Sequence, residues 1–140
     1  MYQGRPTGGI EFYKLLYEST EFCSVLGQVT LASGQLEAEL TLLIMRKHVP
    51  VTMESQSLGR LIKVADKHNV LGRNEIVCLY ELCKQRNYLM HNIYALFSEL
   101  IEETRLERSG LLDSDVHTYI ERAWQLRENL IGLTEIVSKA

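Results

Sequence analysis

The chain has 140 residues, of which 46% are hydrophobic and 24% charged, and its formal net charge is −3. These values are ordinary for one globular domain, and the acidic balance excludes a protein that attracts nucleic acid over its whole surface. No apolar run reaches the about 18 residues of a membrane span, and residues 1–10 lack the apolar core of a signal peptide. We therefore expect one cytoplasmic domain over residues 1–140, with no membrane contact and a partly flexible segment at 1–18.

The first two helices are predicted from apolar residues that recur with a helical period. Residues 9–18 are expected to form a short helix. Thr20 is the expected N-cap of a long helix over residues 20–48, and Pro50 stops it because a proline disfavours helical conformation in the preceding residue. The positions predicted to face the core are Phe12, Leu15, Leu16, Phe22, Val25, Leu26, Val29, Leu36, Leu40, Leu43 and Ile44.

Two further helices are predicted in the middle of the chain. Ser57 opens a helix that Gly72 breaks, and Asn74 caps the next helix, which extends to about residue 102. Their core-facing positions are Leu58, Leu61, Ile62, Ala65, Ile76, Leu79, Tyr80, Cys83, Met90, Ile93, Phe97 and Leu100.

The last helix follows a charged loop at 103–112. Asp113 or Ser114 is its expected cap, and the helix ends at about residue 138. Its core-facing positions are Val116, Ile120, Trp124, Leu130, Leu133 and Val137. No segment alternates apolar and polar residues with the period of two that a β-strand shows. The sequence therefore predicts an all-α fold, an antiparallel bundle of four or five helices.

Charge is concentrated in the centre of the chain. Residues 46–86 contain eight Lys or Arg and four Asp or Glu, which gives +4, and the remaining residues therefore carry −7. Solvated helix faces explain such a window, and so does a groove for an anionic ligand such as a phosphodiester backbone. Both interpretations stay open at this stage.

A cluster of polar residues lies deep inside the fourth helix, in the stretch RNYLMHNIY at residues 86–94. At about 100° per residue, Asn87 and His91 lie about 40° apart and Tyr94 lies within about 20° of Asn87, so the three share one face. Arg86 lies about 140° from His91. Either its side chain curls toward that face, or a second copy of the helix completes the set.

These residue types suit cleavage of RNA without a metal. Arginine offers a planar set of donors for phosphate, histidine exchanges a proton near neutral pH, and asparagine can orient either group. The histidine removes the proton of the ribose 2′-OH or protonates the leaving oxygen, while the arginine stabilises charge on the phosphate. A polar dimer interface explains the same residues, and the helix geometry alone does not separate the two.

The hexapeptide RNYLMH resembles the R-x4-6-H signature of the HEPN superfamily, in which a polar residue often follows the arginine, as Asn87 does here. The helical arrangement is similar to that of HEPN proteins over residues 20–138. The resemblance implies a bundle of four or five helices that dimerises and forms a composite cleft between the two signature helices. It also implies metal-independent endoribonuclease activity of the kind found in toxin–antitoxin, abortive-infection and CRISPR systems.

Carried onto this chain, the resemblance assigns Arg86 and His91 as the catalytic pair and Asn87 as their polar helper. Lys84 and Tyr94 are the expected substrate contacts, and a partly buried packing role is the alternative for Tyr94. Some toxin members carry a tyrosine two residues after the histidine, to which a partner nucleotidyltransferase adds AMP. Here the tyrosine follows the histidine by three residues, which departs from that pattern.

The resemblance also sets the expected partners. We expect a homodimer, an RNA substrate, no cofactor, and a cognate antitoxin or toxin protein as a possible partner. The alternative function is a non-catalytic HEPN-like interaction module, such as an antitoxin, an immunity protein or a regulatory protein. An open cleft that His91 faces, with Arg86 nearby, distinguishes the enzyme from this module.

The cysteines and the other histidines have simpler interpretations. Cys23, Cys78 and Cys83 lack the spacing of a metal site and are expected to be reduced and mostly buried. His48 and His68 lie near predicted helix C-termini, where the helix dipole favours a cation.

Overall fold

The computed structural model describes residues 9–50, 57–91 and 115–140, and these residues form five helices and no strand. The helices are α1 Gly9–Glu18, α2 Thr20–Arg46, α3 Leu58–Lys67, α4 Arg73–His91 and α5 Asp115–Lys139. The predicted all-α bundle is thereby confirmed. None of these described helices combines the length and the apolar character needed to cross a membrane. The predicted loop at 103–112, the end of the fourth helix and the cap of the last helix lie outside the described residues.

The helix starts follow from serine caps. Ser57 caps α3 as predicted, and its Oγ accepts a hydrogen bond from the backbone N–H of Arg60 at 3.3 Å. The cap of α2 is Ser19 rather than Thr20, and its Oγ accepts from the N–H of Phe22 at 3.1 Å. Both serines have extended backbone, which lets the side chain turn back onto the first turn of the helix.

The predicted cap of α4 and the predicted end of α3 were wrong, whereas α2 ends within two residues of its predicted end at about residue 48. Asn74 lies inside α4, which begins at Arg73. Helix α2 ends before Pro50, and α3 ends before Gly72, each just ahead of a residue with positive φ: His48 at 59° and Asn69 at 52°. Asparagine and histidine are among the side chains that tolerate this left-handed conformation, which closes the C-terminus of a helix without glycine.

The core forms around α2, which packs against α1, α3 and α5, while α4 packs against α3 and α5. Helix α4 runs antiparallel to α2, because Arg86 contacts Ser33 while Met90 contacts Thr30. Helix α5 runs in the same direction as α2, since Gln28 bonds to Arg127 and Arg46 bonds to the carbonyl of Val137. The predicted antiparallel arrangement therefore does not hold for this pair. Helix α4, which carries the RNYLMH segment, is therefore held from two sides.

Most of the core-facing residues predicted within the described part of the chain are buried. Trp124 is the main error, because its side chain is 46% exposed. The predicted core-facing positions of this helix begin with Val116, Ile120 and Trp124, which are four residues apart. Each step of four residues rotates the position by about 40° around the helix, so Trp124 leaves the core-facing side. The buried face of α5 instead includes Tyr119, Ala123, Leu126 and Leu130.

The cysteine prediction was wrong for two of the three residues. Cys83 is buried in the core, whereas Cys23 and Cys78 are exposed, and all three thiols are free. Cys23 follows buried Phe22 on α2, and Cys78 precedes buried Leu79 on α4. One residue turns a helix by about 100°, which carries each of these cysteines off the core-facing stripe.

Candidate functional site

The candidate site lies in the last described turns of α4. Buried residues at helical spacing fix this helix against the core, and they are Ile76, Leu79, Leu82, Cys83 and Leu89. Leu82 and Leu89 extend the buried face beyond the predicted stripe. The arginine, asparagine and histidine of the RNYLMH segment therefore sit on a helix whose rotation is set by apolar packing.

A three-residue cluster ties α4 to α3. The hydroxyl of Tyr80 donates to Asp66 Oδ2 at 3.2 Å, and Arg73 Nη1 lies 3.1 Å from Asp66 Oδ1. Burial and the hydrogen bond to Asp66 raise the pKa of Tyr80 above its ordinary value of 10.0. The neutral phenol is thus the form that the folded protein favours, and it holds α4 in register with α3.

Arg86 reaches toward α2, not toward the face that carries Asn87. Its Nη1 donates to Ser33 Oγ at 3.3 Å and lies 3.6 Å from Glu37 Oε1. Ser33 and Glu37 are four residues apart and therefore share one face of α2. The expectation that the Arg86 side chain curls toward the face of Asn87 and His91 within one copy was wrong, because α2 offers a carboxylate and a hydroxyl on the other side.

The guanidinium of Arg86 is only partly satisfied by these contacts. The side chain is 20% exposed, and its Nε is buried without a hydrogen-bond partner among the described residues. Arginine has five N–H donors, and the contacts to Ser33 and Glu37 both involve Nη1. A half-buried cation with donors left over has unused capacity for an anionic ligand.

Asn87 lies on the exposed side of α4 next to the position of His91. Its Nδ2 contacts Cys83 Sγ at 3.8 Å, and sulfur is a weak acceptor. Helix α4 is described as far as His91, whose side chain lies outside the described residues. The backbone therefore places Asn87 and His91 on one face, as predicted, and the structure does not bring Arg86 to that face.

The two predicted substrate contacts have different outcomes. Lys84 is exposed, and its Nζ lies 5.9 Å from the centre of the Tyr88 ring. Lys84 precedes Arg86 by two residues, which places it about 160° from Arg86 around the helix. Because Arg86 faces α2, Lys84 lies on the outer side of α4, as Asn87 does. Tyr94 lies outside the described residues.

Sequence reasoning missed Ser33 and Glu37, the two partners of Arg86. Ser33 is 2% exposed and is one of two buried polar residues in the described chain. The sequence did contain a hint of this contact. Ser33 and Glu37 are four residues apart, on a face of α2 whose other core-facing residues are apolar or small. A buried hydroxyl at helical spacing from a carboxylate predicts a partner with donors on a neighbouring helix.

Two other features of the described residues are separate from this site. No group of three or more His, Cys, Asp or Glu residues in the described ranges could hold a metal ion. A groove of about 480 Å³ lies between α2 and α5, on the opposite flank of α2 from Ser33. The groove contains Leu31 and Ile131, which are 75% and 47% exposed.

Comparison with known proteins adds no relative: no family model, curated protein or solved structure matches the chain. The resemblance of RNYLMH to the HEPN signature therefore stays a prediction.

Proposed function

We propose that this protein is a metal-independent, HEPN-type endoribonuclease that acts as a homodimer, with a composite site built from Arg86, Asn87 and His91. The observation that supports it best is the state of Arg86, whose Nε is buried without a hydrogen-bond partner among the described residues. A buried unpaired donor costs about 1–3 kcal/mol. Function is one of the reasons for which folded proteins keep such a group.

The chemistry assigns one step to each residue. His91 removes the proton of a ribose 2′-OH, the oxygen attacks phosphorus, and the bond from phosphorus to the 5′ oxygen breaks as that oxygen takes a proton from the imidazolium of His91 or from water. The products are a 2′,3′-cyclic phosphate and a 5′-OH. Arg86 stabilises the charge that gathers on the phosphate oxygens, and Asn87 orients the imidazole or the phosphate.

A second copy of the chain completes the site. Arg86 and His91 point about 140° apart on one helix, so a single copy does not present both to one phosphate. In the proposed dimer, the 86–94 segments face each other across a two-fold axis. Lys84 contacts the substrate strand from the outer side of α4, and Tyr94 is the second proposed substrate contact.

The setting follows from the same resemblance. We infer a cytoplasmic protein of a toxin–antitoxin or phage-defence system, with RNA as substrate, no cofactor, and a cognate antitoxin or toxin as partner. The absence of a membrane-spanning helix in the described ranges is compatible with this setting.

The second candidate function is a non-catalytic HEPN-like interaction module. The contacts of Arg86 with Ser33 and Glu37 favour it, because they give the arginine a structural role between α4 and α2. In an antitoxin, an immunity protein or a regulatory protein, the same residues stabilise the fold or a partner interface without chemistry.

The experiment compares RNA cleavage by the parent protein, Arg86→Ala, His91→Ala and the double variant. Each single variant should abolish cleavage, and the double variant should be about as poor as either, since both residues act on one step. Cleavage should survive EDTA, leave a 2′,3′-cyclic phosphate, and fail on an oligonucleotide with a 2′-deoxy residue at the cut site.

His117→Ala and Arg122→Ala are matched controls, because both residues lie on α5, and they should cleave like the parent. The enzyme proposal fails if the parent cuts no RNA, or if His91→Ala cuts as well as the parent. In that case Arg86→Ala should instead weaken dimer or partner binding, as the interaction module requires.

A further inference from the structure

Helix α3 carries three exposed basic residues on one face, which we call the α3 basic face: Arg60, Lys63 and Lys67. They are spaced three and four residues apart, so at about 100° per residue they lie within about 60° of one another. Their spacing also extends over about 10 Å of the helix axis at about 1.5 Å per residue. Three cations are thus displayed in a row on a rigid element.

The three side chains have no acidic partner among the described residues. No Asp or Glu in the described residues lies within 4.0 Å of them, whereas basic side chains on α1, α4 and α5 form ion pairs. The one acidic residue of α3, Asp66, is already bonded to Arg73 and Tyr80. The positive charge of the α3 basic face is therefore not neutralised within the described structure.

The α3 basic face adjoins the outer side of α4. Asp66 bonds to Tyr80 near one end of α3, and a Cβ at Gly59 near the other end would lie 3.9 Å from Cys83 Sγ. Lys63 lies between these two contacts, on the same side of α3 as Asp66. Asn87 is one turn beyond Cys83 on α4, so the row of cations leads along the α3–α4 pair toward the candidate site.

We propose that the α3 basic face binds the backbone of single-stranded RNA and guides the strand to Asn87 and His91. This inference rests on the proposed function, because only a site that acts on RNA gives the row of cations a strand to guide. Exposed Lys and Arg side chains contact the phosphates of a strand, which carry no sequence information, so the binding is independent of sequence. Leu58, Leu61, Ile62 and Ala65 of α3 are buried in the core, and that argues against insertion into a lipid surface.

The test measures binding of a labelled single-stranded 2′-O-methyl RNA oligonucleotide, which resists attack by a 2′-OH, by fluorescence anisotropy at several salt concentrations. The main variant is the triple Arg60→Glu, Lys63→Glu and Lys67→Glu. Three phosphate contacts on a single strand contribute about −2 to the slope of log K against log salt concentration. We expect the variant to lose this contribution to the slope and to bind the oligonucleotide at least about tenfold more weakly at low salt.

The matched control is the triple Lys14→Glu, Lys47→Glu and Lys139→Glu, which changes the net charge equally at exposed positions outside α3. It should keep the salt slope of the parent. Glutamate at the end of α3 opposes the helix dipole, so the set Arg60→Gln, Lys63→Gln and Lys67→Gln serves as a milder variant, checked for folding by circular dichroism. It should also lose the slope.

The proposal is overturned if both triples weaken binding equally, if the parent does not bind the oligonucleotide, or if it prefers phosphatidylserine vesicles to RNA. The cleavage assay distinguishes a failure of this inference from a failure of the proposed function. If cleavage requires Arg86 and His91 but is unchanged in the α3 triple variant, the proposed enzyme function stands and the guiding role of the α3 basic face is wrong. If the α3 triple variant selectively loses RNA binding but the parent cuts no RNA, the α3 basic face binds RNA and the proposed enzyme function is wrong.

Discussion

The guanidinium of Arg86 and the carboxylate of Glu37 face each other between α4 and α2, with 3.6 Å between Nη1 and Oε1. A close charged hydrogen bond spans about 2.7–2.9 Å, so this pair is loose. The side chains keep 20% and 32% of their surface exposed, which leaves the arginine accessible to solvent. Glu37 is therefore both the structural partner of Arg86 and the internal competitor of any phosphate that Arg86 binds.

Glu37→Gln should raise the affinity for RNA and lower the stability of the fold. Removing a partly exposed ion-pair partner is worth about 1 kcal/mol, which corresponds to about fivefold in an equilibrium constant. We expect about fivefold tighter RNA binding in anisotropy and about 1 kcal/mol less free energy of unfolding in urea.

Glu39→Gln is the control for this prediction, because it makes the same charge change two residues along α2 and Glu39 has no ion pair among the described residues. It should change neither quantity by more than a small amount. If Glu37→Gln loses stability but binds RNA like Glu39→Gln, then Arg86 serves the fold alone.

Tyr80→Phe should destabilise the contact between α3 and α4. The variant removes the hydrogen bond from the phenol to Asp66, at a cost of about 1 kcal/mol in the free energy of unfolding at neutral pH. Tyr17→Phe is the control, because the Tyr17 side chain is 83% exposed, and it should unfold like the parent. Equal stability of all three proteins would mean that the Tyr80 bond contributes nothing.

The same bond predicts a dependence on pH. The folded pKa of Tyr80 lies above its ordinary value of 10.0, so the stabilisation is present below pH 10 and is lost as the pH rises through the folded pKa. The difference between the parent and Tyr80→Phe should therefore be constant up to about pH 9 and shrink above pH 10. Urea unfolding of both proteins across this range measures it, and a difference that grows above pH 10 would contradict the sign.

Periodicity and capping chemistry predicted the fold well, because both are local. Ser57 opens α3 where expected, since a serine before an apolar stripe satisfies the first free N–H groups. The helix ends were less predictable. His48 and Asn69 adopt a left-handed conformation that other residues avoid, and sequence offers the more familiar breakers Pro50 and Gly72 a few residues later.

The candidate site was less predictable, because its geometry depends on contacts between helices. The angle between Arg86 and His91 follows from sequence alone, but the partner of Arg86 does not. Ser33 and Glu37 are 53 and 49 positions away in the sequence, and only the packing of α2 against the other helices brings them to α4. The prediction that Trp124 faces the core was wrong for a related reason, because a small error in the assumed rotation of a helix moves a residue from the core to the surface.

The cysteines should react in two classes. Cys23 and Cys78 are exposed and Cys83 is buried, so a thiol reagent should label two sites quickly and the third only on unfolding. The variant with Cys23→Ser and Cys78→Ser should show no fast labelling, which assigns the classes. Fast labelling of three thiols in the native parent would show that the core around Cys83 opens readily.

The proposed assembly predicts that Asn87 lies close to its symmetry mate. Asn87 is exposed in one copy, and a two-fold axis between the 86–94 segments brings both copies of this residue together. Asn87→Glu places like charges across that axis, and such a pair costs several kcal/mol. We expect light scattering to find a dimer for the parent at micromolar concentration and a shift to monomer for Asn87→Glu. Asn74→Glu makes the same substitution at the exposed start of α4 and should stay dimeric. A monomeric parent would count heavily against the composite site, and an unchanged Asn87→Glu dimer would place the interface elsewhere.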